Sequence, residues 1–155
     1  MSAFLSIRRI LVPVDFSPAA PGVVEYALDV ARDRGAETTL LHVIGVPVAP
    51  FDPAYGAAAD PRMMVDLQSG AERGLADLAA RFPGADLRRK VLAGSPSREI
   101  VREAREWAAD LVVIGTHGRT GLRHVFLGSV AENVVRLCPC PVLTLRLKGF
   151  EIERL

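Results

Sequence analysis

Between Gly115 and Val130 the chain reads GTHGRTGLRHVFLGSV. Glycines stand at 115, 118, 121 and 128, histidines at 117 and 124, arginines at 119 and 123, and the stretch contains no acid. These types suit one chemistry, the holding of an anion. Gly115 has no Cβ, so a ligand or another backbone can come close. Gly118 and Gly121 tolerate positive φ, which lets successive backbone N–H groups converge into a concavity. Gly128 and Ser129 open a helix, where the first N–H groups have no helical partner and the macrodipole favours negative charge. A phosphate placed there meets free donors and the Ser129 hydroxyl. Arg119 and Arg123 add positive field, as do His117 and His124 when protonated. The stretch therefore reads as a phosphate cradle. The competing reading is a surface loop whose glycines only turn the chain.

Other phosphate motifs are missing. The only lysines, Lys90 and Lys148, do not follow a G-x-x-x-x-G loop, and no G-x-G-x-x-G follows the first strand. Asp15 ends that strand before Phe-Ser-Pro and reads either as a turn residue or as a ligand-facing carboxylate. His42 sits in an apolar run and reads as a hydrogen-bonded core histidine. His117 and His124 have no third ligand in view, which argues against a metal site built on them. Cys138 and Cys140 stand in Cys-Pro-Cys-Pro, a spacing that matches neither a Cys-x-x-Cys redox pair nor a four-ligand zinc site, and they read as half-buried thiols at a helix end.

The cradle needs elements to position it. Apolar, β-branched runs predict strands at 8–15, 38–44, 86–94, 110–115 and 142–147. The 86–94 run is more polar and belongs at a sheet edge, with its Arg-Arg-Lys at 88–90 as a solvated face. Helices are expected between them. One starts with Ser17 as N-cap and Pro18 in the first helical position, carries Val23, Ala27, Val30 and Ala31 on its apolar face, and ends at Gly35. A second spans Arg62 to about Phe82, with Met64, Leu67, Ala71, Leu75 and Leu78 on one face. A third follows Ser95-Pro96 with Ile100, Ala104 and Trp107 inward, and a fourth begins at Ser129. Residues 45–61, rich in proline, form a long connection expected to be mobile. Strict strand–helix alternation with continuously hydrophobic strands predicts an α/β fold, a parallel sheet covered by helices on both faces. In such a sheet ligands bind at the carboxyl ends of the strands, and the Gly115 loop leaves a strand at that end.

The whole chain bounds the function. Its 155 residues suit one domain, with a core of about 7–147 and a short tail at 148–155. Half the residues are hydrophobic, and 19 Lys plus Arg against 18 Asp plus Glu leave a formal charge of +1. That balance argues against nucleic acid or an anionic membrane as partner. The Arg8-Arg9 pair interrupts the N-terminal apolar run, and no stretch has the length of a membrane span, so a cytoplasmic location is expected.

Gly115-x-x-Gly118, nine residues, then Gly128-Ser129 resembles the G-2x-G-9x-G-[S/T] motif of ATP-binding universal stress proteins. ILVPVDFSPAA, LLHVI, DLVVIGTHGRTGL, LGSVAENVV and CPVLTLR are also similar to that family in order and spacing. The resemblance implies an open five-stranded, Rossmann-like sheet of the adenine nucleotide alpha hydrolase type, strand order 3-2-1-4-5. It implies ATP across the carboxyl edge, with Mg2+ or Mn2+ among the phosphates. Pro13, Val14 and Asp15 would line the nucleoside, Asp15 contacting the ribose or the divalent ion. Val43 would face adenine through its backbone. Gly115, Thr116, His117, Gly118 and Arg119 would wrap ribose and phosphates, while Gly128, Ser129 and Val130 would take the terminal phosphates. Function then divides three ways: a nucleotide-dependent stress switch acting on an unknown protein partner, a slow ATPase or self-phosphorylating protein using Ser129 or Thr116, or a dimeric module with a vestigial site. No water-orienting residue marks an ATPase, which favours the switch. The resemblance also implies a homodimer through the last strand, 142–147, where an apolar edge invites pairing. Thr144→Pro is expected to shift the protein towards monomer in light scattering, and an unchanged dimer would place the interface elsewhere.

Overall fold

A computed structural model describes residues 6–45, 61–116, 127–148 and 151–152. Its centre is a parallel sheet of β1 (Arg9–Pro13), β2 (Glu37–Gly45), β3 (Leu87–Gly94), β4 (Leu111–Gly115) and β5 (Val142–Leu145) in the order β3-β2-β1-β4-β5. The helices α1 (Ala20–Arg34), α2 (Pro61–Ala80), α3 (Pro96–Glu106) and α4 (Ser129–Leu137) connect the strands. This is the expected α/β architecture and strand order.

Alternation along the central strands explains why both faces are covered. In β1, Ile10 and Val12 project to one side with Val24, Ala27, Leu28 and Leu75 of α1 and α2. Leu11, between them, projects to the other side with Ile100, Ala104, Ala131 and Val134 of α3 and α4. Ile10, Leu11 and Val12 are all fully buried, as a strand sandwiched between helix layers requires. At the opposite end from the Gly115 loop, the Asp110 carboxylate accepts from the backbone N–H groups of Arg8 and Arg9 at 2.8 and 2.9 Å, locking the start of β1 to that of β4.

Several boundaries differ from expectation, each for a local reason. The first helix starts at Ala20, not at Ser17. Asp15 Oδ1 accepts from Ser17 N at 3.0 Å, and Ala20 N donates to Ser17 O at 3.0 Å, so Ser17 belongs to a turn. Pro21, instead of Pro18, occupies the first helical turn. Gly35 does end α1, with φ of 62°. Ser95 caps α3 with extended dihedrals, although its hydroxyl makes no capping bond. The last strand stops at Leu145, not 147. Leu145 pairs with Gly115, the last residue of β4, so β5 has no neighbour beyond it. Leu147–Lys148 (β6) instead pairs antiparallel with Glu151–Ile152 (β7), inside what reads in sequence as a tail. Arg88, Arg89 and Lys90 are exposed at the β3 edge, but Lys90 Nζ also reaches the buried Glu103 carboxylate of α3 at 2.6 Å.

Helix α2 is seated by only half its length. Ala71, Leu75 and Leu78 are buried, whereas Leu67, on the same expected face, is 41 % exposed. The N-terminal half of α2 thus stands off the sheet, and the space beneath it is part of the cavity described next.

Candidate functional site

The strand order reverses between β1 and β4, so the chain leaves their carboxyl ends towards opposite faces, α1 on one and α4 on the other. A crevice must open between them. It holds a cavity of about 670 Å³, within the range of small-molecule sites.

The cavity is built from strand ends. Pro13 closes β1, and Val14 and Asp15 follow it into the wall. Val43 comes from β2, and Gly115 and Thr116 from the end of β4. Gly128, Ser129 and Val130 supply the start of α4. Nine sequence-predicted site residues therefore line one cavity. The other three, His117, Gly118 and Arg119, lie outside the described residues, as do Gly121, Arg123, His124 and most of the 45–61 connection.

The α4 end has the character of an anion site. Its N-cap, Gly128, is extended (φ −67°, ψ 152°) and has no side chain to accept a bond. The first helical bond runs from Glu132 N to Gly128 O at 2.9 Å. The N–H groups of Ser129, Val130 and Ala131 therefore have no acceptor within the helix, and all three residues line the cavity. At Gly115 the close approach comes from α1: a Cβ there would stand 3.3 Å from Val23 Cγ2.

The opposite wall carries two residues whose site role the sequence reading missed. Phe16 adopts φ of 59°, rare for a non-glycine residue. Its ring stacks on His42, centroids 4.2 Å apart, and sits against Gly74 of α2, where a Cβ would lie 2.9 Å from the ring. His42 Nδ1 lies 2.8 Å from Val14 O. The carbonyl can only accept, so Nδ1 donates the bond. The expected hydrogen bond is present, but His42 is half-buried at the cavity instead of lying in the core, and both Phe16 and His42 line the cavity. An aromatic directly after Asp15, two residues beyond the end of β1, was the available signal.

Asp15 fulfils the turn reading through its bond to Ser17 and also lines the cavity. Among the described residues no three His, Cys, Asp or Glu side chains converge as a metal site. A magnesium-class ion typically takes one or two carboxylates and completes its shell from substrate phosphates and water. Asp15 fits that limited part.

A parallel sheet reversing between β1 and β4, with helices on both faces and an uncapped helix facing the crevice, defines a Rossmann-like type of α/β protein. Residues 6–146 match the universal stress protein family. The chain is 33% identical over 142 residues to universal stress protein MJ0531 of Methanocaldococcus jannaschii, covering 90% of this chain and 82% of that protein. The solved structure of MJ0577, from the same organism, superposes with a TM-score of 0.79 at 26% identity, covering 94% of this chain and 99% of that one. A universal stress protein from Archaeoglobus fulgidus solved with dAMP shares the fold at a TM-score of 0.61 and 24% identity, over 90% and 98% of the two chains. The chain belongs to the universal stress protein family. Among the described residues no helix is long and apolar enough to cross a membrane.

His42→Phe keeps the ring stack but leaves the Val14 carbonyl without its donor. A loss of about 1–2 kcal/mol in urea denaturation is expected, and unchanged stability would mean the bond contributes nothing net.

Proposed function

We propose that this protein binds ATP in the crevice between β1 and β4 and acts as a nucleotide-dependent switch in a stress response. The observation that carries the proposal is the convergence of Asp15, Val43, Gly115, Gly128, Ser129 and Val130 on one cavity that ends at an uncapped helix start. The triphosphate takes the Ser129 and Val130 N–H groups and the Ser129 hydroxyl. Gly118, Arg119 and His117 complete that end. The nucleoside lies over Pro13 and Val14, with adenine at the Val43 backbone and Asp15 at the ribose or a phosphate-bound Mg2+ or Mn2+. The dAMP complex of a family member with the same fold supports the choice of an adenine nucleotide. The signal passes to an unknown protein partner through surfaces that respond to phosphate occupancy, in a homodimer paired through β5, which stands at the sheet edge.

One substitution removes the Ser129 N–H and its hydroxyl together while leaving the helix start in place. Proline is favoured at the first helical position, and the extended Gly128 before it suits a following proline. Ser129→Pro is therefore expected to leave thermal stability nearly unchanged while weakening ATP at least about tenfold in calorimetry, the equivalent of one charge-assisted hydrogen bond. Unchanged affinity would remove the α4 start from the site. Phosphate release that scales with protein and vanishes in Asp15→Ala would replace the switch by an ATPase.

A further inference from the structure

The thiol pair at the far end of α4 has no part in the nucleotide reading. Cys138 and Cys140 are both partly buried and free, and neither lines the cavity. Their sulfurs stand 3.6 Å apart. We propose that Cys138 and Cys140 form a two-thiolate chelate for a soft, thiophilic metal ion.

The distance fits the chemistry. Two thiolates at the zinc distance of about 2.3 Å from one tetrahedral ion are about 3.8 Å apart, and a larger soft ion needs somewhat more, so the sulfurs stand just short of one edge of such a polyhedron. The backbone around them is fixed on both sides. Cys138 closes α4, donating its N–H to Val134 O at 2.9 Å, and is extended (φ −68°, ψ 138°), as a residue before proline should be. Pro139 and Pro141 restrict φ on either side of Cys140. The Pro141 carbonyl accepts from Val112 N at 3.0 Å, which ties the segment to β4. Both cysteines pack against the apolar cluster beneath α3 and α4. Two donors held in place before binding need no further ordering to act as a chelate.

Electrostatics favours a cation over a pair of bare thiolates. Two bare thiolates at 3.6 Å would repel each other, and the Asp110 carboxylate lies nearby. A divalent ion displaces both protons, M2+ with two thiols giving a neutral dithiolate and two H+, and so removes the repulsion. The group on the Asp110 side is already engaged, since its carboxylate accepts from the Arg8 and Arg9 N–H groups. With sulfur as the donor and no third side-chain ligand converging among the described residues, the pair selects a soft d10 ion such as cadmium over magnesium or calcium.

The test titrates the reduced full-length protein with Cd2+, without competing thiols, following the thiolate-to-cadmium charge-transfer absorption. The expected result is a band saturating at one ion per chain, accompanied by proton release. It should be weakened at least tenfold in Cys138→Ser and in Cys140→Ser. Mass spectrometry of the unmutated protein should show Cd2+ shielding both cysteines from alkylation, a readout independent of whether the variants fold. Absence of the band, single-serine variants that titrate like the parent, or alkylation unaffected by Cd2+ would each overturn the proposal. A reduced protein that ignores Cd2+ but closes a Cys138–Cys140 disulfide with an organic disulfide would overturn it too, making the pair a redox couple instead.

Discussion

The hydrogen bond from Gly128 N to the Thr116 carbonyl, 2.8 Å long, sets the geometry of the anion end of the cavity. Thr116 is itself fixed, buried and donating its N–H to Leu145 O at 2.9 Å. The end of β4 and the start of α4 are thereby joined across the intervening loop, whatever its own path. The other face of α4 completes the constraint. Ala131 and Val134 are buried against Leu11 and Val112 of the sheet, so core packing decides where the helix axis points. A helix start oriented this way presents its unpaired N–H groups without the cost of organising them when an anion arrives.

The β1 and β2 end of the cavity depends on a different device. The left-handed backbone at Phe16 costs on the order of 1–2 kcal/mol, and its neighbours over-determine it. The ring lies between His42 and Gly74, and the Asp15–Ser17 turn follows immediately. Gly74 is thus part of the site without touching its interior, because its missing Cβ lets the ring reach α2. His42 ties β2 to the segment leaving β1. Rigid strand ends carry the wall, and the half of α2 that stands off the sheet leaves the space.

The layered sheet could be read in the sequence because a strand buried on both faces is a nearly unbroken apolar run, and such runs are hard to mistake. The edge position of β3 could be read from its polarity. Boundaries set by a neighbour could not. The end of β5 depends on where β4 stops, and the start of α1 depends on the turn that the Asp15 carboxylate holds at Ser17. That nine of the expected residues would line one cavity was legible because a motif spacing and strand ends define them locally. Phe16 escaped because its role requires α2 to lie alongside, a contact between segments far apart in the chain. The distinction between Gly115 as a ligand approach and as a seat for Val23 is likewise one of three-dimensional packing.

The central claim is that the crevice holds an adenine nucleotide triphosphate. The most direct measurement is to denature freshly purified protein, separate what it releases by chromatography, and titrate the emptied, refolded protein with ATP in the presence and absence of magnesium. The account predicts released adenine nucleotide or saturable ATP binding at one site per chain, tighter with the ion. A protein that releases nothing and gives no heat with ATP under either condition would contradict it.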